Sequence, residues 1–338
     1  MAKEGGLESP QERSAPPGEE ELREMIALRV GRERVPRRVR LVTDTTDFFR
    51  VDYDDVLMLG GRPYLIRNYE REGRFGIDEQ PKFWVRRAVD LRDGSAKVIK
   101  MVFHETFHTK VGDLSFECRR SPRKEATVLE IVRGHPNFMQ GFWEYDSAGN
   151  VLRIIDHIKG RSFASEVPKL GEGHEDYFHN HFPRLLDDYV ELVDAIRFLH
   201  GRGQKHGDIR RDHIIRDSAT GKGRWIDFDF NYMHPYNMFG YDLSGLGNVL
   251  VFLAAGGDAT VQELRERDPA AYGRLTADDL NIVFTNRVVN LRKVWPYVPK
   301  GLNRVLMHFS SGARAFYATT GELLSDLKET RDKLHQTV

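Results

Sequence analysis

Cysteine is nearly missing from this chain: among 338 residues only Cys118 carries a thiol. That excludes an internal disulfide framework and suits a reducing compartment. Long apolar runs are missing too. The longest, VLVFLAA at 249–255, falls far short of the roughly 20 residues that a membrane-crossing helix needs. No signal peptide opens the sequence, so a cytoplasmic location without a membrane span is expected. Neither sign of charge is in excess. Lys plus Arg and Asp plus Glu both number 51, so no global field recruits an anionic membrane or nucleic acid, and no nucleic-acid partner is expected. Internal repeats are absent as well. With 40% hydrophobic and 30% charged residues, what remains is a globular chain. Its length allows one large domain or two lobes sharing a cleft.

The opening stretch, MAKEGGLESPQERSAPPGE (1–19), has the Pro-, Gly- and Glu-rich composition of a disordered tail. Leu22, Met25 and Ile26 then recur at helical spacing. RVGRERVPRRVR (29–40) concentrates arginine, either as a solvated linker or as a patch for an acidic partner. From about residue 39 to 158 the chain reads mainly as strands. VLMLGGRPYLI (56–66) predicts a hairpin with Gly60-Gly61 supplying the positive-φ turn. FWVRRAV and AKVIKMVF follow, joined by the turn RDGS. One helix interrupts them, over 122–133, with a proline in its first turn where the N–H has no helical partner. Strands resume at FMQGFWEY and VLRIIDHI.

Beyond residue 180 the pattern is helical. PRLLDDYVELVDAIRFLHG begins at Pro183 and stops at Gly201, with Leu186, Tyr189, Val190, Val193 and Ile196 on one face. YDLSGLGNVLVFLAAGG (241–257) is apolar on nearly every side, as a helix at the centre of its lobe must be. TTGELLSDL opens with a capping box from Thr319 to Glu322. The expected class is α+β. Residues 1–35 would form a disordered or short helical tail, 36–55 an N-terminal β extension, 56–158 a β-rich lobe and 159–338 an α-helical lobe.

Residues 104–108, HETFH, spell the zinc-binding pattern H-E-x-x-H, which works when both histidines share a helical face. Here the letters follow a β-branched run and show no helical stripe. A strand end or loop is expected, not a zinc site. Lys100 is the only charge in VIKMVF, and a buried ammonium is costly unless a carboxylate answers it. Glu125 on the helix at 122–133 could do so; a lysine snorkelling from an edge strand is the alternative. Further on, FLHGRGQKHGDIRRDH (198–213) contains Asp208 and, five residues later, His213; Asp227 follows in WIDFDF. A lysine–glutamate pair and two later carboxylates suit phosphoryl transfer, which is mainly positioning and charge neutralisation.

In these residues the chain resembles the protein-kinase-like superfamily, from about residue 56 to the C-terminus. His206, Gly207, Asp208 and His213 stand on the family's H-R-D-x-x-x-x-N, and Asp227 on the aspartate of D-F-G. Val85, Ala88, Gly94 and Lys100 match its second and third strands. KEATVLEIVRGHPNF resembles its αC helix, RIIDHIKGRSF its fifth strand and hinge, and YDLSGLGNVL its central helix with Asp242 and Gly247 in place. The resemblance implies a bilobal, β-rich and α-helical fold binding ATP with Mg²⁺ or Mn²⁺. It implies Asp208 as catalytic base and Asp227, with His213, as metal ligands. Arg210 would neutralise the γ-phosphate, Lys100 fixed by Glu125 would orient ATP, and backbone groups near Asp156, His157 and Ile158 would meet adenine.

Four departures accompany the likeness. The glycine places of the phosphate-cradling loop fall on Asp78, Gln80 and Phe83, with Gly73, Gly76 and Lys82 as a substitute. His213 replaces asparagine, and imidazole suits the oxygen-preferring Mg²⁺ poorly. Asp229 replaces the glycine of D-F-G, and H-G-D replaces H-R-D; aminoglycoside-, choline- and lipopolysaccharide-kinase-like chains are similar in such motifs. The stretch from Asp227 to Asp242 is short and lacks A-P-E, and Phe316 and Tyr317 stand where its arginine partner would be. Three functions are compatible with this pattern. One is an atypical bacterial-type Ser/Thr kinase, the second a small-molecule or glycolipid kinase, the third a pseudokinase acting as a nucleotide-binding or scaffolding module.

Overall fold

The computed structural model describes the main chain of residues 17–74 and 77–336, with side chains outside 71–80. Most of the tail expected to be disordered, and Gly76, therefore lie outside the described residues. The chain divides into two compact units. The first takes in the residues up to 104, with 125–133 and 140–157; the second takes in 105–124, 134–139 and everything from 158 onward.

The first unit is built on a seven-stranded sheet of order β1-β2-β3-β4-β5-β9-β8. Its strands are β1 (Leu41–Val42), β2 (Val56–Leu59), β3 (Arg62–Arg74), β4 (Ile77–Asp90), β5 (Ala96–Lys100), β8 (Gly141–Tyr145) and β9 (Val151–Asp156). Gly60 and Gly61 have φ of 53° and 71°, so β2 and β3 close through the left-handed turn that the glycine pair predicts. Side chains alternate across the strands, and each face finds its own cover. Val56 and Leu65 pack with Leu22 and Ile26 of helix α1 (Glu19–Val30), the segment whose helical spacing the sequence shows. Leu57, Tyr64, Ile66, Ala88, Ile99 and Ile154 form the other core, closed by Val51. Each such aliphatic side chain stabilises the unit by about 1.5–3 kcal/mol. Between 36 and 55 the only strand is β1, alongside a single 3₁₀ turn, Phe48–Arg50. Helix α2 (Pro122–Ile131) starts at its proline as expected, and Val128 and Leu129 are buried.

The second unit carries two three-stranded sheets. In one, β10 (Gly160–Ser162), β11 (Ile214–Asp217) and β12 (Gly223–Trp225) are antiparallel neighbours. In the other, β7 (Leu114–Arg120) lies between β6 (Thr106–Val111) and β13 (Phe230–Tyr232). The remainder is helical: α3 (Phe163–Glu166), α4 (His174–Asn180), α5 (Phe182–His200), α6 (Gly240–Ala254), α7 (Val261–Arg267), α8 (Pro269–Tyr272), α9 (Lys300–Met307) and α10 (Thr320–His335). The apolar face read along α5 is buried, and α6 is buried from Val249 to Ala254 without interruption. Thr319 caps α10 by accepting the Glu322 N–H at 3.2 Å. Among the described residues no helix is long and apolar enough to cross a membrane.

His104 and Glu105 lie in the loop before β6, and His108 lies within that strand. No helix presents the two histidines to a metal. The β6–β7 hairpin is itself a finding, since nothing in the sequence analysis anticipates it. Its signal is the alternation of TFHTKV and LSFECRR around Gly112, whose φ is 57°.

Candidate functional site

In the first unit β5 ends at Lys100, opposite Val85 of β4 and Arg153 of β9. Lys100 is buried, and its Nζ donates to Glu125 Oε1 at 2.7 Å. Arg153 Nε donates to the other oxygen, Oε2, at 3.0 Å, and its Nη atoms donate to the carbonyls of Val151 and Met101. Of the two alternatives for Lys100, the structure has the buried pair. Arg153 is a second cation that the sequence analysis missed, although it stands out as Lys100 does, as the only charge in the run VLRII.

The remaining expected ligand contacts of this unit are less direct. The Asp156 carboxylate pairs with Lys97, its N–H donates to Gln140 O at 2.9 Å, and the His157 N–H donates to Ala96 O at 3.1 Å. Ile158 belongs to the second unit. Lys82 is buried on β4 opposite Glu70. Asp78, Gln80 and Phe83 all fall inside β4, with Gln80 paired to Glu72 and Ile77 to Arg74. A strand ladder with three register shifts occupies these positions in place of a glycine cradle.

In the second unit the loop after α5 is anchored on Asp242 of α6. The Asp242 carboxylate accepts the N–H groups of His206 and Gly207 at 2.7 and 2.9 Å, and His200 Nε2–H at 2.9 Å. Burial alone would raise its pKa, but the hydrogen bond and charge of His200 more than offset this and hold it at about 2. His206 is wholly buried, which lowers its imidazole to about 3, and its Nδ1 accepts the Asp208 N–H at 3.3 Å. Gly207 has φ 89°, and a Cβ there would come within 1.8 Å of the Phe230 carbonyl oxygen. The glycine of H-G-D is therefore required by the close pass of β13.

His213 joins the two acids. A guanidinium only donates, so the 3.0 Å contact of Arg210 Nη2 with His213 Nε2 makes that nitrogen the acceptor. The ring proton is thereby assigned to Nδ1, which donates to the Asp208 main-chain oxygen at 2.8 Å. Asp208 Oδ2 stands 3.6 Å from Nδ1, and Asp227 Oδ2 stands 3.7 Å from Nε2. The two side chains are 12% and 18% exposed, open enough to meet a ligand. Asp227 has φ 59°, a left-handed conformation that a non-glycine residue adopts only when its surroundings hold it there. Arg210 also binds Asp212 at 2.6 Å, with its Nε 3.9 Å from Asp208 Oδ1.

Among the described residues no group of three or more His, Cys, Asp or Glu forms a metal cage. Mg²⁺ does not need one, since it is commonly held by one or two carboxylates, phosphate oxygens and its own waters. Asp227 fits that role. His213 would add a nitrogen only after Arg210 releases Nε2.

No protein-family profile matches the chain. Individual sequences do. The chain is 23% identical over 214 residues to a Caenorhabditis elegans protein named as ribosomal protein S6 kinase alpha-2, covering 62% of this chain and 23% of that one. It is 24% identical over 161 residues to CBL-interacting protein kinase 24 of Oryza sativa subsp. japonica, covering 48% and 32%. With the sperm motility kinase Tcr mutant form of Mus musculus it shares 24% over 208 residues, covering 52% and 41%. In sequence, then, the chain is similar to protein kinases.

The chain spans between about a quarter and two fifths of the length of those relatives. Among solved structures it is similar to the Cydia pomonella granulovirus kinase PK-1, with a TM-score of 0.49, 14% identity and coverage of 78% of this chain and 93% of that one. For the Mycobacterium tuberculosis PknI kinase domain the TM-score is 0.48 at 13% identity, covering 83% and 99%. Its own fold is α+β, with a β-rich N-terminal sheet and a helical C-terminal region.

Proposed function

We propose that the chain is an ATP- and Mg²⁺- (or Mn²⁺-) dependent phosphotransferase that moves the γ-phosphoryl group to a hydroxyl, with a protein serine or threonine as acceptor. The observation that carries this reading is the placement of Asp208 and Asp227 on either side of one buried imidazole, at 3.6 and 3.7 Å. The buried Lys100–Glu125 pair of the first unit supports it. Asp208 orients the acceptor hydroxyl and takes its proton as the new oxygen–phosphorus bond forms and the bond to ADP breaks. Lys100, held rigid by Glu125, orients ATP. Asp227 is the carboxylate that would hold a bound Mg²⁺ or Mn²⁺, which would supply neutralisation of phosphate charge. Arg210 turns toward the transferring group, and that movement frees His213 Nε2. A cytoplasmic setting fits the lone, buried thiol of Cys118.

A second reading, transfer to a small-molecule or glycolipid hydroxyl, is favoured by the brevity of the link from β13 to α6, residues 233–239. The pseudokinase reading draws on the strand ladder that stands in place of the glycine cradle. Incubation with γ-labelled ATP and either metal, offering mixed protein acceptors and aminoglycoside or sugar alcohols in parallel, separates the three. Label on Ser or Thr that disappears in Asp208→Ala supports the proposal. Label on small alcohols alone moves the assignment to the second reading. No transfer to any acceptor, with nucleotide binding retained, overturns catalysis.

A further inference from the structure

We infer that Lys124 is a positioning residue that ties the two acid-bearing loops together, so that their geometry is set by unmodified side chains. The expected effect on metal binding and turnover rests on the phosphotransferase reading; the tie itself does not. Lys124 Nζ donates to the main-chain carbonyls of His206, Phe228 and Phe230 at 2.7, 2.8 and 2.7 Å. An ammonium has three protons, and three carbonyls take them. One carbonyl lies two residues before Asp208, and the other two lie one and three residues after Asp227. The lysine also occupies the first turn of α2, where the helix dipole disfavours a cation. The carbonyls account for its presence; the helix does not.

Two further features fit this function. Gly207 makes the space: a Cβ on it would meet the Phe230 oxygen and come within 3.2 Å of Lys124 Nζ. The H-G-D glycine and the lysine are thus parts of one arrangement. Arg120 secures the same segment from β7. Its side chain and that of Asp229 are both buried and paired with each other, and its Nη2 reaches Glu105 at 3.0 Å. The guanidinium lies 4.2 Å from the centre of the Phe230 ring, Phe230 pairs with Arg120 across the strands, and Ser121 N–H donates to Asp229 O at 2.7 Å. The left-handed Asp227 is followed immediately by a stretch that cannot relax.

The test compares the full chain with Lys124→Met, Lys124→Arg and the double variant Arg120→Met/Asp229→Asn. Amide hydrogen exchange is read at 206–208 and 227–230, and Mn²⁺ binding by electron paramagnetic resonance with a non-hydrolysable ATP analogue. Lys124→Met is expected to speed exchange about tenfold in both loops while the rest of the unit is unchanged. It should weaken Mn²⁺ binding at least about tenfold and lower kcat with little change in the KM for ATP. Lys124→Arg should restore part of each effect. The double variant, in which the lysine remains, should loosen 228–230 and leave 206–208 protected. Unchanged exchange in Lys124→Met, or a uniform rise across the unit, overturns the inference. If Lys124→Met does not fold, the double variant decides, and equal loosening of both loops there counts against the tie. A wild-type protein that binds no Mn²⁺–nucleotide would sink the phosphotransferase reading, while the exchange pattern would still judge Lys124.

Discussion

Glu125 and His213 each sit between two charged side chains, one pair cationic and the other anionic. Around Glu125 every member is buried, and the contacts to Lys100 and Arg153 are direct hydrogen bonds of 2.7 and 3.0 Å. Around His213 the carboxylates of Asp208 and Asp227 are partly exposed and stand beyond hydrogen-bonding distance, at 3.6 and 3.7 Å. The first cluster is tight: Lys100 and Arg153 share one buried carboxylate, which orients the lysine. The second is looser, with partly exposed carboxylates near the ring but not hydrogen-bonded to it. Groups that change partners during a reaction belong in the second kind of setting, and groups that only present a fixed charge belong in the first.

That contrast can be attacked from both sides. Asp208→Asn should cut turnover about a hundred- to ten-thousandfold, with a melting temperature within about 4 °C of the parent. A large loss of stability would mean that the acid is structural like its counterpart. Glu125→Ala should show the reverse emphasis, losing about 3–5 kcal/mol in urea denaturation because two cations are left buried without their carboxylate. Unchanged stability would place the Glu125 cluster in the adaptable class.

Acid should reveal the buried histidine. In the folded chain burial holds His206 at about 3, whereas an unfolded imidazole titrates near its ordinary 6.5. Between those values the unfolded chain binds the extra proton, so stability falls as pH drops from 6.5, by up to about 1.4 kcal/mol per pH unit. Asp242, held at about 2 against an ordinary 3.8, adds a loss only below that upper value. Thermal melts from pH 7 to 4 should show this slope on top of the contribution of His174, which burial holds at about 4, and His206→Asn, which keeps an acceptor for the Asp208 N–H, should reduce it. An equal slope in both proteins would refute the assignment. The smallest effect is expected from His213→Asn. Turnover should stay within about tenfold of the parent or rise, since an amide oxygen suits Mg²⁺ better than imidazole. A collapse would give the ring a role beyond spacing the acids.

Local chemistry decided how much of this was legible beforehand. Lys100 and Glu125 announced themselves because a lone charge in an apolar run demands a partner, and H-G-D and Asp227 because their spacing follows a known order. Arg153 obeyed the first rule and was still passed over. The β6–β7 hairpin stayed hidden behind the letters HETFH, whose helical meaning competed with an ordinary strand alternation. The ties made by Lys124 and Arg120 have no sequence signal, because main-chain carbonyls are their partners in one case and a residue 109 positions away in the other. The occupied amides of Asp156 and His157 depend on strand register, which composition does not encode.

The central claim is the phosphotransferase reading itself, and calorimetric ATP titrations with and without Mg²⁺ test it most directly. Wild type should bind ATP more tightly when the metal is present. Lys100→Met should weaken binding under both conditions, and Asp227→Asn should remove only the metal-dependent gain. If ATP does not bind, or if either variant binds as the wild type does, the claim is contradicted.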